Sequence, residues 1–87
     1  MPQDERQDKL RKKMIFRSWH RGTREIDLML GRFADAYMMD LSDDEVLQYE
    51  ELLKNNDPDL YSWISGKEIP PANVNSAVLQ KLLAFYS

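Results

Sequence analysis

The sequence predicts an all-α fold, a small single-domain bundle of five short helices. Three observations predict it. Apolar residues recur every three or four positions, no segment alternates convincingly as a strand, and helix-start and helix-stop residues punctuate the apolar runs. With 87 residues, one compact core is the limit, and such a chain buries only about 60 to 65% of its unfolded surface. No internal repeat or low-complexity tract suggests a second unit.

The opening segment, residues 1–8, is polar enough to fray, so the domain is expected to occupy residues 9–87. In the first helix, over about 8 to 20, Leu10 and Met14, then Ile15 and Trp19, lie four apart among basic residues. That spacing gives one apolar stripe and one cationic flank. Ile26, Leu30, Phe33 and Tyr37, joined by Met29 and Ala36, define a second helix over about 23 to 38 with the clearest period in the chain. In "LSDDE", Ser42 is the N-cap and Glu45 completes a capping box. Val46, Tyr49, Leu52 and Leu53 then supply the buried face of a third helix that stops near Asn55 and Asn56.

Within "NDPDLYSWISGK", Asp57 caps a fourth helix, Pro58 takes its first position and Gly66 suits a left-handed C-cap. Leu60, Trp63 and Ile64 share its inner face. The prolines of "KEIPPAN" make a connector. Val74, Val78, Leu82 and Phe85 then mark a fifth helix. Gly22, lodged between two helical runs in "SWHRGTREIDLMLGRF", costs on the order of 1 kcal/mol in a helix interior, so it belongs at a corner with positive φ. Val or Arg should strain that corner and Asn less so. A tight corner also projects Arg21, Arg24, Glu25 and Asp27 from a rigid base, which suits the presentation of charged side chains to a partner.

Composition narrows the function classes. The absence of cysteine excludes disulfides, thiolate metal sites and cysteine nucleophiles. His20 is the only histidine and has no carboxylate at a ligand spacing, so neither a metal site nor a catalytic triad is expected. Asp43, Asp44 and Glu45 are what a helix start favours, which takes them out of acid–base catalysis. Tyr61 and Trp63 could stack on a flavin ring, but Trp63 is read as core and neither is taken as a flavin site, and "HRGT" and "SGKE" lack the pattern of a phosphate loop. No apolar run approaches the roughly 18 to 20 residues of a membrane span, and "MPQDERQDKL" does not read as a targeting segment.

The net charge of −3 hides a polarity: residues 1–24 carry +5 and residues 25–87 carry −8. The basic end, with Arg6, Lys9, Arg11, Lys12, Lys13 and Arg17, suggests an acidic partner or, as an alternative, nucleic acid. The pI near 5.0 and the lack of a helix-turn-helix frame argue against the second.

"RGTREID", "LSDDE" and "NNDPDLYSW", followed by the proline-bearing connector, together resemble the succinate dehydrogenase flavinylation (FAD assembly) factor family, small proteins with an R-G-x-x-E motif. The resemblance spans roughly residues 11 to 71. It implies an assembly factor rather than an enzyme: a chaperone-like protein that binds the flavoprotein subunit of succinate dehydrogenase, or of fumarate reductase, and promotes covalent attachment of FAD to that client. The implied partner-binding residues are Arg21, Gly22 and Glu25, with Arg24 and Asp27 beside them; no catalytic or metal residue is implied, and FAD belongs to the client. His20 departs from the basic residue that often precedes the motif. The expected state is a monomer, in the bacterial cytoplasm, or in the mitochondrial matrix for a chain preceded by a presequence. An antitoxin-like regulator acting on another protein is the alternative within the same resemblance.

Overall fold

A computed structural model describes residues 5–87, and its helices form for the local reasons their sequences give. Helix α1 runs Glu5–Trp19, α2 Arg24–Tyr37, α3 Asp43–Leu52, α4 Asp57–Ile64 and α5 Ala77–Phe85, with a 3-10 turn at Met38–Asp40. No strand occurs among the described residues, so the all-α expectation holds. The helix begins at Glu5, before the start near 8 that its stripe suggests, while the first part of the segment expected to fray lies outside the described residues.

Capping decides where the later helices begin. The capping box of α3 is complete: the Glu45 amide donates to Ser42 Oγ at 3.1 Å and the Ser42 amide to Glu45 Oε1 at 2.9 Å. The Lys81 ammonium, 2.7 Å away, and then the Ser42 amide hold the Glu45 carboxyl below its ordinary value. Two starts differ from the sequence reading. Asn56, not Asp57, caps α4, its Oδ1 accepting from the Asp59 amide at 2.9 Å, and Pro58 falls one position further in. Likewise α5 begins at Ala77 because Ser76 accepts from the Leu79 amide, leaving Val74 in a turn of the connector where it still packs on the core. Gly66 follows α4 with φ +82°, as a left-handed stop requires.

Side-chain ties give the orientation. Arg11 of α1 donates to the Met38 carbonyl at 2.6 Å, and Trp19 Nε1 to Asp35 at 3.2 Å, so α1 and α2 run antiparallel. Lys81 on Glu45, and the Val78 amide on Gln48 Oε1 at 3.2 Å, set α5 antiparallel to α3. The shared core joins Met14, Ile26, Leu30, Phe33, Met38, Val46, Tyr49, Leu60, Trp63, Val78, Leu79 and Leu82. At Gly31 the Trp19 side chain of α1 packs so tightly on α2 that a Cβ would run into the indole. One polar pair is sealed inside. The Ser18 hydroxyl donates to the Met14 carbonyl at 2.7 Å and so accepts from the Tyr49 hydroxyl, and burial pushes the Tyr49 pKa well up. Tyr86, at the end of α5, donates to the Met29 carbonyl at 2.7 Å.

The cationic flank of α1 is only partly a flank. Arg11 is 8% exposed and also ion-paired to Asp43 at 3.0 Å, so it serves the fold instead of a phosphate or an acidic partner. Phe16 takes the opposite course and is 63% exposed. Phe85, expected on the buried stripe, is the last residue of α5 and lies at the edge of the core, 36% exposed, with its ring edge-on to Phe33 and Tyr37.

Candidate functional site

The corner between α1 and α2 is built by its own motif. After Trp19 the chain must reverse, and Gly22 does this with φ +120°, a conformation closed to ordinary L-residues. Asp27, one turn into α2, accepts from the Arg21 amide at 2.6 Å and from the Gly22 amide at 3.3 Å, so its carboxylate fixes the turn from inside. This is a local hydrogen-bond lock. Asp27 is therefore half-buried and turned toward the corner, not projected from it as the sequence suggests.

Arg21 is the second departure. Its side chain is only 14% exposed and folds onto the loop between α3 and α4, where Nε meets Asp57 Oδ1 at 2.9 Å. The two terminal nitrogens donate to the Leu53 carbonyl at 2.5 Å and the Asn55 carbonyl at 2.6 Å. Three acceptors more than thirty residues along the chain thus converge on one planar guanidinium, a geometry that lysine cannot copy. Asp57, 17% exposed, is freed for this contact because Asn56 does the capping.

Arg24 and Glu25 remain at the surface, in the first turn of α2, and neither has an ion-pair or hydrogen-bond partner among the described residues. The five predicted residues thus divide. Arg21, Gly22 and Asp27 build the corner; Arg24 and Glu25 face outward from it. His20 is exposed beside them, its Nδ1 2.7 Å from the Phe16 carbonyl and its ring stacked on Phe16 at 4.1 Å between centroids. No group of three or more His, Cys, Asp or Glu residues among those described is placed to hold a metal ion. No helix is long and apolar enough to cross a membrane among the described residues.

The sequence reading left out the neighbourhood that α4 brings to the motif. Thr23, Glu25 and Ile26 from one side, and Asp57, Pro58 and Tyr61 from the other, line a cleft of about 350 Å3. The "NNDPDLYSW" block, which supplies Asp57, Pro58 and Tyr61, belongs to the same family resemblance as the motif, although no local period links the two.

Gly22 offers a clean test of the corner. A Cβ at this position meets open space, so the cost of any substitution lies in the backbone alone. Because φ +120° lies beyond the left-handed well near +57° that asparagine tolerates, Gly22→Asn should be strained much as Gly22→Ala and Gly22→Val are. Each is expected to lose about 1–3 kcal/mol in urea unfolding. A Gly22→Ala protein as stable as the parent would contradict the strain.

Comparison with known proteins adds an independent line. A family model described as flavinator of succinate dehydrogenase matches residues 12–86. Among curated relatives, the mitochondrial succinate dehydrogenase assembly factor 2 of Dictyostelium discoideum is 38% identical over 73 residues, covering 84% of this chain and 52% of its own. The protein of the same name from Kluyveromyces lactis is 34% identical over 82 residues, covering 90% and 50%. That from Drosophila grimshawi is 32% identical over 74 residues, covering 83% and 50%. The chain spans about half the length of the curated relatives it matches.

Proposed function

Because the chain belongs to the succinate dehydrogenase flavinator family, we propose that it binds the flavoprotein subunit of succinate dehydrogenase and promotes covalent attachment of FAD to that subunit. The observation that carries this reading is the division of labour at the corner. Glu25 and Arg24 stand exposed, with no ion-pair or hydrogen-bond partner among the described residues, on a base that Arg21, Gly22 and Asp27 lock by hydrogen bonds and an ion pair. A backbone already fixed this way adds no ordering cost of its own on association, which favours a specific contact by the side chains it carries. The work supplied to the client is positioning: a bound factor holds the client's reacting groups in the arrangement where the flavin bond forms, without chemistry of its own.

The flavin is assigned to the client and not to this chain, and fumarate reductase's flavoprotein is a second client of the same kind. The curated relatives are named as mitochondrial. We place this chain where the client acquires its flavin, in the bacterial cytoplasm, or in the matrix for a chain carrying a presequence.

Co-expression of the flavoprotein subunit with the chain, followed by in-gel fluorescence of the denatured subunit, tests the reading. The parent chain should raise protein-linked flavin, and Glu25→Ala should reduce it sharply while changing stability by only about 0.5 kcal/mol, as loss of an exposed charge does. Protein-linked flavin that is indifferent to the presence of the chain would sink the proposal. Full flavinylation with Glu25→Ala would remove the motif from the working surface.

A further inference from the structure

The cleft beside the motif has a chemistry that selects what can fill it. Its floor is apolar, formed by the buried Ile26, the ring of Pro58 and the aromatic body of Tyr61. Among the side chains that line it, one charge is uncompensated. Asp57 is matched by Arg21 at 2.9 Å, whereas the Glu25 carboxylate has no partner among the described residues. The two walls belong to different helices, and the Arg21–Asp57 ion pair that closes the corner is also what holds them at a fixed separation.

A purely apolar occupant would cover Glu25 and leave its carboxylate desolvated without a partner, which costs free energy. An acidic occupant would be repelled by the same group. A side chain with an apolar stem and a cationic tip satisfies both floor and charge. Between the two such side chains, arginine fits better, because a planar guanidinium lies flat on an aromatic face and meets a carboxylate with two parallel hydrogen bonds. Lys67 Nζ lies over the Tyr61 ring, 5.1 Å from its centroid, so an incoming guanidinium takes the opposite face of the ring or displaces this ammonium.

We infer that the cleft lined by Glu25, Ile26, Pro58 and Tyr61 receives an arginine side chain of the flavoprotein subunit, its stem on Ile26 and Pro58 and its guanidinium between the Tyr61 ring and the Glu25 carboxylate. The inference rests on the proposed function for the identity of the partner and adds the chemistry of the contact. It makes α4 part of the docking surface together with the motif.

Titration of the purified flavoprotein subunit with the full chain, at low and high salt, decides it. Glu25→Gln keeps the shape and removes the charge, and it should weaken binding at least tenfold and flatten the salt dependence. Tyr61→Leu keeps apolar volume and removes the ring face; it should also weaken binding several-fold, while Tyr61→Phe binds as the parent does. Thermal melts of each variant separate loss of contact from loss of fold. The Glu25→Gln and Tyr61→Leu losses should be less than additive, since both grip one group. Unchanged binding by Glu25→Gln with weakened binding by Tyr61→Leu would mean an apolar occupant, and unchanged binding by both would mean an unused cleft. Either result overturns the inference and leaves the assembly reading standing, because the parent chain still binds. A parent chain with no affinity for the subunit overturns both.

Discussion

Phe33→Ala is expected to take away a large share of the folding free energy and to lower the melting temperature steeply. Phe33 is fully buried on the most regular stripe of α2, and its ring meets those of Tyr37, Tyr49 and Phe85 at 5.4, 6.0 and 5.8 Å between centroids. Truncating it removes the ring contacts of α2 with Tyr49 of α3 and Phe85 of α5 and leaves a cavity that neighbours anchored by hydrogen bonds cannot fill. Tyr49 is held by Ser18, and Tyr86 beside Phe85 by Met29. Loss of a buried phenylalanine costs about 3–5 kcal/mol, against a total stability of order 5–10 kcal/mol for so small a domain. Circular dichroism should show a broad transition at much lower temperature, or none, whereas Phe33→Leu should lose less. A Phe33→Ala melt within a few degrees of the parent would show that this junction does not carry the core.

Arg21→Ala has the second largest expected effect, and it separates the two arginines of the motif. Removing the guanidinium strands a mostly buried Asp57 carboxylate and two loop carbonyls at once. Unpaired groups of this kind cost about 1–3 kcal/mol each when water cannot reach them, and breaking a buried ion pair costs about 3–5 kcal/mol. Since both side chains keep some exposure, a loss of about 2–4 kcal/mol is expected. Arg21→Lys should recover only part of it, because one ammonium cannot span three acceptors in different directions. Urea unfolding of Arg21→Ala, Asp57→Ala and the double variant measures the coupling directly. Strict additivity, or an Arg21→Ala protein as stable as the parent, would mean that the clamp is incidental. Arg24→Ala should leave stability within about 0.5 kcal/mol. A function lost in Arg21→Ala is therefore lost through the corner, and one lost in Glu25→Ala through the contact.

What the sequence determined by itself is local. The helix periods, the Ser42–Glu45 capping box, the stop at Gly66 and the positive φ at Gly22 all depend on residues within about four positions of one another, where geometry leaves few alternatives. The R-G-x-x-E corner and its charged character were legible for the same reason. The tertiary structure decided where each charge goes. Arg21 and Arg24 are chemically identical and three positions apart, yet one is drawn inward because Leu53, Asn55 and Asp57 arrive from another helix junction with three acceptors aimed at it. Arg11 is buried by the same logic, meeting a carbonyl freed at the 3-10 turn after α2 and the carboxylate of Asp43. Gly31 carries no turn, and only the approach of Trp19 from α1 explains why a side chain cannot sit there. The cleft around Glu25 and Tyr61 likewise exists because α4 docks beside α2. Periodicity reports which face of a helix is apolar. The partner that a long polar side chain finds is set by groups distant in sequence, and only the folded chain brings them within hydrogen-bond reach.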